Sequence, residues 1–516
     1  MSDLLRSDEG LSYSSLGLAV FLSELRVSTS KLFADLTDLV KLGEWASRVG
    51  FSSIWLGPIA LMASHGEIAP YTPESRCFID PAFLPSLSSC EVAPRGDGRV
   101  GDSLGVMGNL ALRRSCVAAS HLEADLDQFE SSEYFNQIAA ERILRYLDKD
   151  QLDLAAKVYV RIAYGESYCS KHSPAELRQR VVLSQMMGHQ ALNIADSIIP
   201  IALDLPIGTR PGGVDAVAFA PWALQEGSLG APPDYFNPQG QSWGLVGYDL
   251  GSKSVGDDVE PLPLTTPIRL FAPVTSGLRI DHAIGLQRLC IVRERSEESD
   301  RPGPMSFVDQ PRDRILAVLK AISQETGLVM VAEDLGVVPD GLRDALVSGG
   351  MRLTKVLCFE VGDAEGFVPD SIVSFTTHDT HTARQLLGDC ATGTAPDGLR
   401  STALRHLLRS GRPEVRLSEQ FLDFVGKNFH ADENGSRRGF IEAILPRIFA
   451  TLEQSTSSIK LISLRDLCGE CERVNIPGTA VAERLNFFVP LGKPGEFLSE
   501  LCGVNQLFEY CGAPGS

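Results

Sequence analysis

The sequence predicts an α/β chain folded as a (β/α)8 TIM barrel with helical insertions, and three observations predict it. Short runs of apolar and β-branched residues recur along the 516 residues, each ending in a polar or charged residue. Continuous apolar runs of that length read as strands buried on both faces, as in a parallel sheet. Amphipathic helical stretches lie between the runs, and repeated strand–helix units imply parallel strands joined by right-handed crossovers. The charged strand ends are spread over several strands, which suits a barrel whose chemistry gathers at the C-terminal ends of different strands. A doubly wound sheet would instead concentrate its site at one switch point, usually beside a glycine-rich phosphate turn. The chain has no G-x-G-x-x-G after a strand and no Walker A motif.

The elements follow in order. DLTDLVKLGEWASRVG (35–50) is an amphipathic helix ending in Gly, and SSIWLGPI (52–59) is the strand after it. IIPIALDLP (198–206) is a strand carrying Asp204, and SGLRID (276–281) ends in Asp281. In DRILAVLKAISQETG (313–327), Ile315, Leu319 and Ile322 share one face and Gly327 is a C-terminal stop. The strand LVMVAED (328–334) follows at once and ends in Glu333 and Asp334. PDGLRDALVSGG (339–350) opens with Pro and closes with Gly-Gly, a further helix. SIVSFTTHD (371–379) is a strand ending in His378 and Asp379. Residues 85–180 read as a loop followed by charged, helix-prone sequence, a mainly helical insertion, and 390–455 reads as a second helix-rich segment. The catalytic barrel is therefore expected over 12–490, with 491–516 as a C-terminal tail.

Composition narrows the function. Hydrophobic residues make up 44% and charged residues 22%, as in an ordinary globular enzyme. The formal net charge of −19 repels nucleic acid and anionic membranes and suits a neutral substrate. No segment reaches the roughly 20 apolar residues of a membrane span, and the first residues lack a basic region followed by an apolar run. A cytoplasmic location with the eleven cysteines as reduced thiols is the expectation. Cys468-Gly-Glu-Cys471 lacks a second pair of ligands at zinc spacing, and His378 and His381 are read as part of a loop, so no metal is assigned.

Asp204, Asp281, Glu333 and Asp379 are four carboxylates at strand ends. Retaining glycoside chemistry uses one carboxylate as nucleophile and one as acid/base, about 5–5.5 Å apart. A third acid can grip sugar hydroxyls. Arg279, two residues before Asp281, points to the same side of a strand and is expected to keep Asp281 ionised. His378 can hydrogen-bond a sugar hydroxyl. Any one of these acids alone would read as a cap or a salt-bridge partner; four strand ends together do not.

The set LRIDHAIGLQRL (278–289), VAEDLGVVPDGLRDAL (331–346), FTTHDTHTA (375–383), IALDLPIGTRPGGVDA (201–216), GAPPDYFNPQGQSWG (230–244), TKVLCFE (354–360) and NIPGT (475–479) resembles the 4-α-glucanotransferases (amylomaltases, or disproportionating enzymes) of the α-amylase superfamily. The resemblance runs over roughly residues 15–490. It implies Asp281 as nucleophile, Glu333 as general acid/base, and Asp379 as the third carboxylate, helped by His378 and Arg279. It also implies glucan contacts at Tyr71, Asp204, Trp243, Tyr235 and Phe236, α-1,4-glucans and maltooligosaccharides as substrates, and no cofactor. Three positions depart from the family's pattern. Glu67-Ile68-Ala69 precedes Pro70-Tyr71 and could alter the donor side. Val217 or Phe219, and Asn486-Phe487, read as packing changes that leave the three acids untouched. Two other functions share these residues: an α-glucan hydrolase with the same three acids, and a catalytically silent glucan-binding protein.

Overall fold

A computed structural model describes residues 15–27, 33–64, 68–87, 103–124, 143–165, 172–234, 237–251, 259–293, 303–360, 369–392, 415–429, 436–476, 486–491 and 497–510. Eight parallel strands close into a barrel: β1 (Ser15–Val20), β2 (Ser53–Leu56), β3 (Ile201–Leu205), β4 (Gly277–Ile280), β5 (Val329–Ala332), β6 (Arg352–Val356), β7 (Ser371–Ser374) and β8 (Ile459–Ser463). Each strand pairs with its neighbours in sequence, and β8 pairs with β1 to close the ring. Five strands match the apolar runs of the sequence. β1, β6 and β8 were not anticipated. β6 (RLTKV) carries two cations and β8 (IKLIS) one at its second residue, so neither shows the apolar run ending in a charge by which the other strands are read.

Alternation along the strands divides the core in two. Trp55, Ala202, Val331, Ile372, Ile459 and Leu461 fill the barrel, with Ala19 and Val329 beside them. The side chains on the opposite face, such as Ile54, Leu56, Leu203 and Ile462, pack under the surrounding helices. The helices begin where their caps place them. Asp35 accepts from the Thr37 N–H at 2.9 Å at the start of Leu36–Arg48, and Ser173 caps Pro174–Ile198.

Between β2 and β3 the described chain is a hairpin, Ala60–Leu61 with Ser75–Ile79, and the helices Ser103–Leu122, Lys149–Tyr164 and Pro174–Ile198. Buried ion pairs tie the helix Ser103–Leu122 to the end of the hairpin and to the cap of Leu36–Arg48. Arg114 grips Asp80 at 2.7 Å and donates to the carbonyls of Met62 and Ala63, while Arg113 pairs with Asp35. A four-stranded antiparallel sheet, which the sequence reading did not foresee, stands beside the barrel mouth. Its strands are Met305–Asp309, Arg288–Val292, Ser228–Ala231 and Gln241–Leu245, in that order. The C-terminal residues pack on the barrel side: Leu498 N–H donates to the Arg26 carbonyl at 2.9 Å, and Phe508–Tyr510 pairs with Val415–Leu417. Cys116 is disulfide-bonded, so the expectation of reduced thiols fails at this position. Cys468 and Cys471 are free thiols. Among the described residues no helix is long and apolar enough to cross a membrane.

Candidate active site

The site grows out of strand register. Asp204 on β3 lies directly across from Arg279 on β4, and Arg279 across from Val331 on β5. Side chains two residues apart share a face, so Asp281 and Glu333 follow Arg279 and Val331 onto the same side of the barrel mouth. The Arg279 guanidinium pairs tightly with Asp204, reaches Asp281 at 3.8 Å, and reaches Glu333 at 3.5 Å. One cation therefore serves three carboxylates. Asp334, the other acid of that strand end, turns the opposite way. It is fully buried, accepting from Arg343 at 2.6 Å and from the Thr354 N–H at 2.8 Å, and its work is structural.

The chain between Asp281 and Glu333 explains the juxtaposed Arg, Asp and His of the β4 end. His282 adopts a left-handed conformation with φ 43°. That turn ends the strand and aims the His282 N–H at Glu333 Oε2, 2.6 Å away, while Ala283 N–H donates to the Glu333 carbonyl at 2.9 Å. Burial holds the His282 imidazole neutral, with its pKa lowered to about 4. Trp243, from the antiparallel sheet, meets the His282 ring edge-on at 4.9 Å.

His378 and Asp379 arrive from the loop after β7. His378 Nε2 lies 3.3 Å from Asp379 Oδ2, and Asn475 Nδ2 donates to Asp379 Oδ1 at 2.6 Å. Tyr71, from the hairpin after β2, donates its hydroxyl to Asp204 Oδ2 at 2.6 Å and stacks on His378 with ring centroids 5.1 Å apart. Phe21 and Phe487 complete this aromatic wall, Phe487 lying 5.1 Å from Tyr71 and 6.3 Å from His378. The Phe21 ring sits so close to Gly57 that a Cβ there would come within 2.2 Å of it. One cavity is lined by Phe21, Trp55, Asp204, Arg279, Thr376 and His378 among others, and Asp281 and His282 line another.

Charge distribution separates the acids. Burial pushes Asp281 well above the usual carboxylate range, and Glu333 and Asp204 add to that; Arg279 opposes it. Burial also raises Glu333, against Arg279 and the His282 N–H. For Asp379 burial is outweighed by the charge and hydrogen bond of His378 and by Asn475, and its pKa falls to about 2. His378 is raised in turn, because Asp379 more than offsets its burial. Arg279 thus acts in the direction expected from the sequence, but its charge is divided three ways and the net shift of Asp281 is upward.

The structure brings together Tyr71, Asp204, Arg279, Asp281, Glu333, His378 and Asp379, with Trp243 one ring away. Tyr235, Phe236 and Glu67 lie outside the described residues. Ile68 and Ala69 are buried just ahead of Tyr71. Val217 is 48% exposed, and Phe219 packs on Trp222 and Tyr248. Asn486 and Phe487 are buried packing residues, and the Phe487 ring also forms part of the wall behind His378. Asn475 escaped the sequence reading. Its only signal was its place in NIPGT, far along the chain from Asp379.

The sequence profile of the family described as 4-alpha-glucanotransferase matches residues 163–489. A 4-alpha-glucanotransferase of Mycobacterium tuberculosis (strain ATCC 25618 / H37Rv) is 27% identical over 537 aligned positions, covering 93% of this chain and 71% of the relative. One from Chlamydia caviae is 29% identical over 296 positions, covering 54% and 48%. Among solved structures, the fold is similar to that of the amylomaltase from Corynebacterium glutamicum. Its TM-score is 0.68 at 20% identity, with 97% of this chain and 76% of that one covered. It is similar also to the Streptococcus agalactiae amylomaltase, with TM-score 0.65 at 15% identity and coverage of 95% and 98%. Barrel, strand-end acids and profile agree, and this chain belongs to the 4-alpha-glucanotransferase family.

Proposed function

We propose that the enzyme transfers α-1,4-glucan segments between chains by double displacement, with Asp281 as nucleophile, Glu333 as acid and then base, and Asp379 gripping hydroxyls of the distorted sugar. Asp281 attacks the anomeric carbon while Glu333 gives its proton to the departing glycosidic oxygen. The 4-hydroxyl of a second glucan then attacks, its proton passes to Glu333, and the bond to Asp281 breaks. No cofactor enters this scheme, because the covalent intermediate conserves the glycosidic bond energy.

One observation carries the reading: Asp281 and Glu333 share Arg279 and are both pushed upward. A carboxyl raised by burial keeps its proton to higher pH, which suits Glu333 as the acid of retaining chemistry, while the Arg279 cation 3.8 Å from Asp281 favours the ionised form a nucleophile needs. Asp379, held ionised by His378 and Asn475, is 45% exposed against 20% for Asp281 and 14% for Glu333, so it is the acid most open to a ligand. Tyr71 and Trp243 offer flat aromatic faces that suit the apolar faces of sugar rings. The similar Streptococcus agalactiae amylomaltase was solved in complex with acarbose, which fits an oligosaccharide ligand at this barrel mouth.

The test is a product profile on maltotriose, with Asp281→Asn alongside. Transfer gives a ladder of longer maltooligosaccharides plus glucose, and the variant gives none. Shorter sugars alone would mean that water, not sugar, resolves the intermediate. A ladder that survives in the variant would remove Asp281 from the role of nucleophile.

A further inference from the structure

Asp466 takes no part in the proposed chemistry, yet it is a buried carboxylate beside the site cavity, 2% exposed. It belongs to the short helix Leu464–Leu467 that follows β8. Its Oδ2 accepts the Thr376 hydroxyl in a short hydrogen bond, and its Oδ1 accepts the Ala383 N–H at 2.6 Å. Thr376 and Ala383 are the two ends of the loop that carries His378 and Asp379. One carboxylate therefore closes that loop at its base. Within the loop, Thr380 Oγ1 accepts from the Thr377 N–H at 2.9 Å, and Asp379 N–H donates to Thr377 Oγ1 at 3.3 Å.

The anchor is itself fixed. Asp466 N–H donates to Ser463 Oγ at 3.0 Å. Neighbouring Arg465 pairs with buried Glu24 after β1 at 2.8 Å, donates to the Glu472 carbonyl at 2.9 Å, and makes a short bond to the Val489 carbonyl. The same segment reaches the loop again, with Arg384 Nη1 on the Gly469 carbonyl at 2.9 Å, Arg473 on His381, and Asn475 on Asp379. A buried carboxylate is costly unless its oxygens are satisfied, so both ties are strongly specified and the loop base has little freedom to shift.

We propose that Asp466 is a positioning residue for the transfer reaction: by tying Thr376 to Ala383 it sets where His378 and Asp379 stand relative to Asp281 and Glu333. The inference rests on the role given to Asp379 above. A displacement of about 1 Å in a group that acts on the transition state can cost on the order of 100-fold in rate. Because Asp379 is assigned to the distorted sugar rather than to resting substrate, the loss belongs in kcat more than in KM.

The experiment is a double-mutant cycle on maltotriose transfer with Asp466→Ala, Asp379→Asn and the pair. Asp466→Ala is expected to lower kcat by roughly 10- to 100-fold with KM within about threefold. The same change is expected to have no further effect once Asp379 is Asn. Asp466→Asn keeps the volume and one acceptor for Ala383, and the Thr376 hydroxyl can turn to accept from its amide, so it is expected to recover most of the rate. Thr376→Val, which cuts one tie only, serves if the alanine variant does not fold, and should show the same dependence on Asp379. Equal losses with and without Asp379, or a loss seen only as a lower Tm, would overturn the positioning role. An Asp379→Asn enzyme as fast as the wild type would instead overturn the role assigned to Asp379.

Discussion

Arg279 is the residue on which the site's electrostatics turn. Its strand register makes Asp204 its direct partner, and Asp281 and Glu333 take what remains of its charge. The acid/base must be protonated to start the reaction. A raised carboxyl keeps its proton to higher pH, so kcat/KM falls as pH climbs through that raised value. Asp204 is one of the charges that raise both acids. Asp204→Asn removes it, so the alkaline limb of the kcat/KM profile is expected to move to lower pH; a limb that stays in place would mean Asp204 does not act on the pair. Asp379, lowered to about 2, stays ionised throughout and shapes neither limb.

At the scale of elements, the hairpin after β2 delivers Tyr71, and two buried arginines hold it. Arg76 pairs with Asp215 at 3.3 Å and donates to the Pro263 carbonyl at 2.6 Å. Arg114 ties Asp80 to the helix Ser103–Leu122. The inserted helices are thus structural partners of the site's Tyr71 hairpin. Arg114→Met leaves Asp80 buried with only the backbone N–H groups of Met62 and Ala82. Removing one partner of a buried pair costs about 3–5 kcal/mol. The expected result is a clear drop in Tm and, below that temperature, a higher KM for maltotriose as Tyr71 loosens. An unchanged Tm would show that the pair contributes little.

Over the whole molecule, acid should weaken the fold through buried imidazoles. His121 is fully buried with Nε2 2.8 Å from the Pro85 carbonyl, and its pKa is lowered from 6.5 to about 4. Between those values the unfolded chain binds a proton that the folded chain refuses, so stability falls as pH drops from 6.5 to about 4 and changes no further from this group below that. The shift corresponds to about 3 kcal/mol at full effect. Tm measured at pH 7 and pH 4.5 is expected to fall less for His121→Gln than for the wild type. Equal falls would place the acid sensitivity elsewhere.

The sequence by itself determined the barrel class and marked the acids at the strand ends, because strands buried on both faces leave apolar runs and a charged residue stands out where such a run ends. It could read Asp204, Asp281, Glu333 and Asp379 as strand-end residues for that reason. The strand with buried Lys460 at its second residue lost that signature. Only the tertiary structure decided which acid shares which cation, since Arg279 meets Asp204 through strand register and not through spacing. It alone placed Asp466, Asn475 and Phe487 at the loop carrying Asp379, and Trp243 against His282. Those contacts join segments separated by tens to hundreds of residues, and no local pattern records a contact that exists only when the barrel closes.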